Sequence, residues 1–219
     1  MTEQLIYIID FDSTFSKVEA LDELAEIVLE GHQDKAYIKH QVEDITKKAM
    51  DGELNFDLAL TQRLALLPIY TYHLEQLIEQ LKTKVSESVL RNKAFFKANA
   101  HAIYIVSGGF REFIVPVVAT FSIPAKQVFA NDFLFNGEGK VMGFNPENVL
   151  SQPKGKVKLL RSLQLAAKVI VIGDGYTDYE IREAGLADAF YLFTENISRT
   201  NLIDKADRIL HSFDELRTN

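Results

Sequence analysis

The sequence predicts an α/β fold: a mostly parallel sheet in three layers, with a helical subdomain inserted after the first strand. Three observations carry this. Residues 5–9 (LIYII), 101–106 (HAIYIV) and 168–172 (KVIVI) are short, apolar, β-rich runs, and each ends in small or acidic residues before a helical pattern begins. Strands covered on both faces read this way, because neither face alternates with solvent. From about residue 17 to 78 the sequence carries helical periodicity, with no strand signal to interrupt it. The composition, 47% hydrophobic and 25% charged over 219 residues, supplies a core for one domain with a modest insertion.

Taken in order, residues 5–9 form the first strand. Leu21, Leu24, Ala25 and Val28 then follow the i, i+3, i+4, i+7 spacing of a helix, as do Ile38, Val42, Ile45 and Ala49. Asn55 is placed to cap a third helix running to Leu67 and stopped by Pro68, and Leu74, Leu77, Ile78 and Leu81 mark a fourth. The expected division is a core of 1–15 and 79–219 with a helical cap at 16–78. The second strand ends at Ser107-Gly108-Gly109, and Pro116 should kink or break the helix after it. Asn136-Gly137-Glu138-Gly139 reads as the turn of a β-hairpin. Residues 189–193 and 208–210 are candidate late strands.

Charge and composition exclude several functions. The net charge is −7 and the basic residues form no arm or stripe, so nucleic acid is not an expected partner. There are no cysteines, which removes disulfides, thiol nucleophiles and Cys-ligated zinc. Residues 1–10 lack a basic n-region, and no apolar run approaches the ~20 residues that span a bilayer. A cytoplasmic protein without a membrane partner is expected.

Chemistry concentrates at the strand ends, where parallel sheets bind ligands. Asp10-Phe11-Asp12-Ser13-Thr14 sets two carboxylates around one residue after a buried strand. Their repulsion invites a hard, oxygen-preferring cation such as Mg²⁺, and one carboxylate can stay ionised as a nucleophile while its neighbour exchanges protons. The plain alternative is a polar strand end capping the next helix. Gly173-Asp174-Gly175-Tyr176-Thr177-Asp178 follows another strand and brings two more acids. The amides and hydroxyl of Ser107-Gly108-Gly109 can receive a phosphate. Pro153-Lys154-Gly155-Lys156 is by itself no more than a basic helix start. In the third helix of the insert, positions 56, 60, 63, 64 and 67 share one face, which puts Arg63 on an apolar stripe. Either its stem packs while its head reaches water, or its planar fork clamps a substrate carboxylate.

DxDST, SGG, KGK and GDGxTD in this order resemble the haloacid-dehalogenase-like hydrolase superfamily, with its Rossmann-like core. Residues 18–25 (VEALDELA), 49–52 (AMDG), 60–66 (LTQRLAL), 107–111 (SGGFR), 128–131 (VFAN) and 135–138 (FNGE) extend the resemblance to the phosphoserine phosphatase family. The resemblance implies Mg²⁺-dependent hydrolysis of O-phosphoserine through an aspartyl-phosphate. Asp10 would attack phosphorus and Asp12 would act as acid, then base. Asp10, the Asp12 carbonyl and Asp174 would hold Mg²⁺. Ser107, Gly108, Gly109 and a lysine would bind the phosphoryl group. Lys154 is the best match for that lysine, with Lys156 the alternative. Asp178 would orient the lysine or support the metal, and Thr177 would sit near the substrate. Arg63 would take the substrate carboxylate and Glu19 its ammonium, with Met50 and Phe56 closing the pocket. Tyr176 stands where the family usually has a small residue, and residues 145–152 also depart from it. The rival readings are a related phosphatase or phosphotransferase acting on another small phosphomonoester, and a non-catalytic phosphate-binding regulator.

Overall fold

The computed structural model describes residues 5–50 and 53–217; the side chains of Met50, Phe56 and Arg217 lie outside the described residues. Six strands, β1 (Leu5–Ile9), β2 (Ile103–Phe110), β3 (Val128–Asn131), β6 (Lys168–Gly173), β7 (Ala189–Phe193) and β8 (Arg208–Leu210), form one sheet in the order β3-β2-β1-β6-β7-β8. Every neighbouring pair is parallel. β4 (Phe133–Phe135) and β5 (Val141–Phe144) make a separate antiparallel hairpin around the expected turn, where the Asn136 side chain accepts from the Glu138 and Lys140 amides.

The central strand explains its own sequence. Ile6 and Ile8 are buried in a core shared with α8 (Gly155–Leu163) and α9 (Tyr176–Glu183). Ile9, with Leu5 and Tyr7 packed beside it, faces a second core built with α4 (Thr71–Thr83) and α7 (Arg111–Val118). Both faces are covered, so no position is free to be polar.

The segment between β1 and β2 holds α1 (Ala20–Val28), α2 (Lys35–Met50), α3 (Phe56–Ala65) and α4, then the short α5 (Glu87–Arg91) and α6 (Lys93–Ala98). The chain leaves the sheet and returns to it side by side: Ser16 pairs antiparallel with Val85. The Lys17 amide donates to the Lys84 carbonyl, and the Ser86 amide to the Phe15 carbonyl, each at 2.9 Å. The expected boundary at 78 falls inside α4, because the stripe Leu74–Leu77–Leu81 stays buried through another turn.

Two local expectations change. Pro116 does not break its helix; α7 continues to Val118 and then tightens into a 3₁₀ turn, Ala119–Phe121. Ser107-Gly108-Gly109 is not a loop after β2 but an irregular part of it: the register with β3 shifts between Val106 and Phe110, and pairing resumes at Phe110–Asn131. Among the described residues, no helix is long and apolar enough to cross a membrane.

Candidate active site

From β1 the chain builds outward to β2 and β3; β6 then returns to the other side of β1 and starts β7 and β8. The carboxyl ends of β1 and β6 therefore frame the crevice where the strand order reverses. Asp10 follows β1 and Asp174 follows β6, and the Asp10 amide donates to the Ile172 carbonyl at 2.9 Å, locking the two ends together.

Asp10 Oδ1 accepts from the Phe11 amide at 2.7 Å and pairs with Lys156 Nζ at 2.9 Å. Lys156 is buried and makes a second ion pair, to Asp178 Oδ1, at 2.7 Å. Burial works against the ammonium, but the charges of Asp10 and Asp178 outweigh it and raise its pKa. Burial and the Asp10 charge push the Asp178 carboxyl up. A Cβ at Gly173 would fall on the Asp178 carboxyl, so the glycine is what lets that acid sit under the strand end.

Lys154, the first choice from sequence, is elsewhere. It is exposed at the head of α8 in a left-handed conformation, φ +57°, and lines the outer part of the cleft. The lysine held by Asp10 and by Asp178 is Lys156. Residues i and i+2 of a helix start point to different sides, so only one of this pair can reach inward.

Asp12 is half-buried. Its Oδ1 accepts from the Ala20 amide at 2.7 Å, at the positive end of α1. Burial, Glu19 and Asp10 nevertheless raise its pKa well above the usual carboxylate range. Glu19 precedes α1 without capping it; its carboxylate accepts from the Ser13 hydroxyl at 2.7 Å, and burial raises its pKa. Ser107 is fully buried and its Oγ accepts from the Gly109 amide at 2.9 Å. A Cβ on Gly109 would lie 3.2 Å from Asp12 Oδ2, so a larger residue would fill the space beside that acid.

Asp10, Asp174 and Asp178 can bring one carboxylate oxygen each within 4.8 Å of one another. All three are engaged by the protein: Lys156 pairs with Asp10 and Asp178, and Arg199 pairs with Asp174, while Asp10 and Asp174 are the two that line the cleft. Burial first, then Asp10, lifts Asp174 to about 6. An all-oxygen set of mutually repelling carboxylates fits a hard divalent cation.

The opposite wall comes from the insert. Arg63 is 7% exposed, so its head does not reach bulk water. One terminal nitrogen donates to Thr46 Oγ1 at 3.3 Å, and its buried Nε has no hydrogen-bond partner among the described residues. Burial lowers its pKa against the charges of Asp22, Glu19 and Asp12. These residues enclose a cleft of about 370 Å³ lined by Asp10, Asp12, Glu19, Arg63, Gly108, Gly109, Lys154, Lys156, Asp174 and Thr177. Ser107 is fully buried and is not among the lining residues, and the side chains of Met50 and Phe56 lie outside the described residues. A wider groove of about 730 Å³ between α1 and α4 carries Glu26, Glu30, Glu75 and Glu79, an acidic lining that repels phosphate.

Several participants escape sequence reasoning. Arg199 Nε donates to Asp174 Oδ2 at 2.9 Å, and Thr14 Oγ1 to Asp174 Oδ1 at 3.3 Å. Asn196 Nδ2 donates to the Ser13 carbonyl at 3.0 Å and to Ser86 Oγ at 2.7 Å, tying the turn after β1 to the segment after α4. Thr14 sits in a motif and was within reach; Arg199 and Asn196 lie in a loop without periodicity or motif.

Residues 6–184 match the family of haloacid dehalogenase-like hydrolases. Human phosphoserine phosphatase is 33% identical over 210 residues, covering 94% of this chain and 89% of that protein. The chloroplastic phosphoserine phosphatase of Arabidopsis thaliana is also 33% identical, over 94% of this chain and 68% of that one. Among solved structures, a phosphoserine phosphohydrolase-like protein from Francisella tularensis superposes with a TM-score of 0.85 at 27% identity, covering 97% of this chain and 98% of the other. A phosphoserine phosphatase captured as a phospho-aspartyl intermediate analogue gives 0.77 at 25%, covering 100% and 99%.

Proposed function

Because the chain belongs to the haloacid dehalogenase-like hydrolase family, we propose that it hydrolyses O-phosphoserine to serine and phosphate, with Asp10 as the nucleophile. An Asp10 oxygen attacks phosphorus and the bond from phosphorus to the serine oxygen breaks. Asp12 gives its proton to that oxygen; its raised pKa favours the protonated form this step needs. Water then attacks the aspartyl-phosphate, Asp12 takes the proton back, and phosphate leaves with both carboxyls restored. Lys156 fixes Asp10 and Asp178 and offsets developing charge. Ser107, the Gly108 and Gly109 amides, and Lys154 from the rim receive phosphoryl oxygens. Thr177 stands beside them.

Asp10, Asp174 and the Asp12 carbonyl would hold Mg²⁺, which when bound supplies positive charge to the phosphoryl oxygens. Asp178 acts through Lys156. The insert, whose ends meet at Ser16 and Val85, serves as a cap over the cleft, excluding water during transfer and opening for release. The small phosphomonoester is the expected partner.

The substrate assignment is carried by one observation: a buried guanidinium whose Nε has no hydrogen-bond partner among the described residues lines the same cleft as Asp10, Asp174 and Glu19. An α-carboxylate satisfies Arg63, and the adjacent ammonium suits Glu19. Hydrogen bonds to charged groups contribute about 1.5–3 kcal/mol, or roughly 10- to 150-fold. Arg63→Ala should therefore cut kcat/KM for phosphoserine by that factor while changing p-nitrophenyl phosphate turnover less than about threefold. Equal losses on both substrates would remove the carboxylate clamp.

A further inference from the structure

The cleft has a third wall that phosphoserine does not need. Its outer side is formed by Gln152 before α8, Tyr176 and Glu180 on α9, and Asn201 in the 3₁₀ turn Thr200–Lys205. Tyr176 and Glu180 are four residues apart and share a helix face. Among the described residues, Tyr176 is the one aromatic ring in the lining, and 40% of it is exposed.

That ring is held in place. Lys205 Nζ sits 5.2 Å from its centroid and 4.8 Å from that of Tyr179. The two tyrosine rings are 5.8 Å apart, and Tyr179 meets the fully buried Phe190 edge-on at 6.0 Å. Tyr176 is thus braced through Tyr179 against the core. A large ring without such support would cover its own apolar surface; this one is fixed with part of its surface open to the cleft. In the proposed function the amino and carboxyl groups of phosphoserine go to Glu19 and Arg63, not to this ring.

We propose that Tyr176, braced by Lys205 and Tyr179, forms a leaving-group subsite for flat apolar groups and gives the enzyme a second substrate class, aryl phosphomonoesters. The proposal rests on the phosphatase reading of the cleft but not on its preference for phosphoserine. The chemistry balances as before: an Asp10 oxygen bonds to phosphorus, the P–O(aryl) bond breaks, and the aryl oxygen leaves with a proton from Asp12 as a phenol. Water then releases phosphate from Asp10 and returns the proton to Asp12. The phosphoryl group keeps its place, and the ring of the leaving group stacks on Tyr176.

The test compares p-nitrophenyl phosphate with glycerol 3-phosphate, neither of which carries a carboxylate or an amine, in the full chain with Mg²⁺. An aromatic contact of this kind corresponds to roughly three- to tenfold in affinity. Tyr176→Leu, which keeps bulk without the π-face, should lower the aryl-to-alkyl ratio of kcat/KM by about that factor, mostly through KM. Tyr176→Phe should keep the ratio, and Lys205→Met should lower it part of the way. A ratio unchanged or raised in Tyr176→Leu overturns the subsite, the latter marking the ring as a gate. Wild-type protein that turns over phosphoserine but neither ester overturns the second substrate class, and protein that turns over none of the three sinks the phosphatase reading itself. Turnover of both with no preference for phosphoserine sinks only the substrate assignment and leaves the ratio test standing.

Discussion

Replacing Lys156 by methionine keeps most of the side-chain volume and removes the charge. In the wild type the ammonium is 2.9 Å from Asp10 and 2.7 Å from Asp178, with 8% of its side chain exposed. Its loss leaves Asp10, Asp174 and Asp178 with oxygens within 4.8 Å and no lysine between them. Two like charges at that spacing repel by about 3 kcal/mol at an effective dielectric constant near 20, and breaking a buried ion pair costs about 3–5 kcal/mol by experience. For a protein of this size that lowers Tm by roughly 10 °C. The pH dependence has a definite sign. Asp174 titrates at about 6, above the ~3.9 of an unfolded aspartate, so its ionisation costs stability as pH rises through that window, and the cost is complete above it. Lys156 holds the Asp178 carboxyl down, so without it that carboxyl rises further, and the deficit of Lys156→Met should be larger at pH 8 than at pH 5. Metal-free thermal melts of both proteins at the two pH values measure it. A deficit below about 1 kcal/mol, or one equal at both pH values, would refute the reasoning. Lys154→Met is the contrast: an exposed residue, whose loss should move stability by no more than about 0.5 kcal/mol while weakening turnover.

Gly173→Ala puts a methyl group on the Asp178 carboxyl, so stability should fall by about 1–3 kcal/mol, and activity should fall with it because Asp178 holds Lys156. Chemical denaturation alongside kcat checks both; an unperturbed variant would mean that Asp178 shifts freely. Asp12→Asn removes the proton donor, which a serine alkoxide needs far more than p-nitrophenolate does. Its kcat should drop about 100-fold or more on phosphoserine and clearly less on the first, aryl-transfer step, read as a nitrophenolate burst in stopped flow. Equal losses in both would assign Asp12 another role.

The parallel sheet was legible because β1 and β6 are buried on both faces, which leaves an unbroken apolar run that only a covered strand explains. The acidic pair and Asp174 were legible because they follow those strands directly, and strand ends are few. Arg63 was legible from its place on an apolar helical stripe, and its burial removes the alternative in which its head reaches water. The choice between Lys154 and Lys156 was not, since it turns on the left-handed backbone at Lys154, which rotates the head of α8. Arg199 and Asn196 carry no local signal at all; they reach Asp174 and Ser13 only because the loop after β7 folds back over the sheet edge. The pairing of Ser16 with Val85 was not legible either, because it joins residues far apart in sequence.

The most direct test of the mechanism is to trap the covalent species. The protein would be mixed with phosphoserine and Mg²⁺, quenched in acid within milliseconds, digested and mapped by mass spectrometry. The expected result is one phosphoryl group on the Asp10 side chain, which accumulates and decays within a turnover and is absent from Asp10→Asn. Turnover with no trapped phosphoryl group, with the group on another residue, or with substantial activity left in Asp10→Asn would contradict Asp10 as the nucleophile.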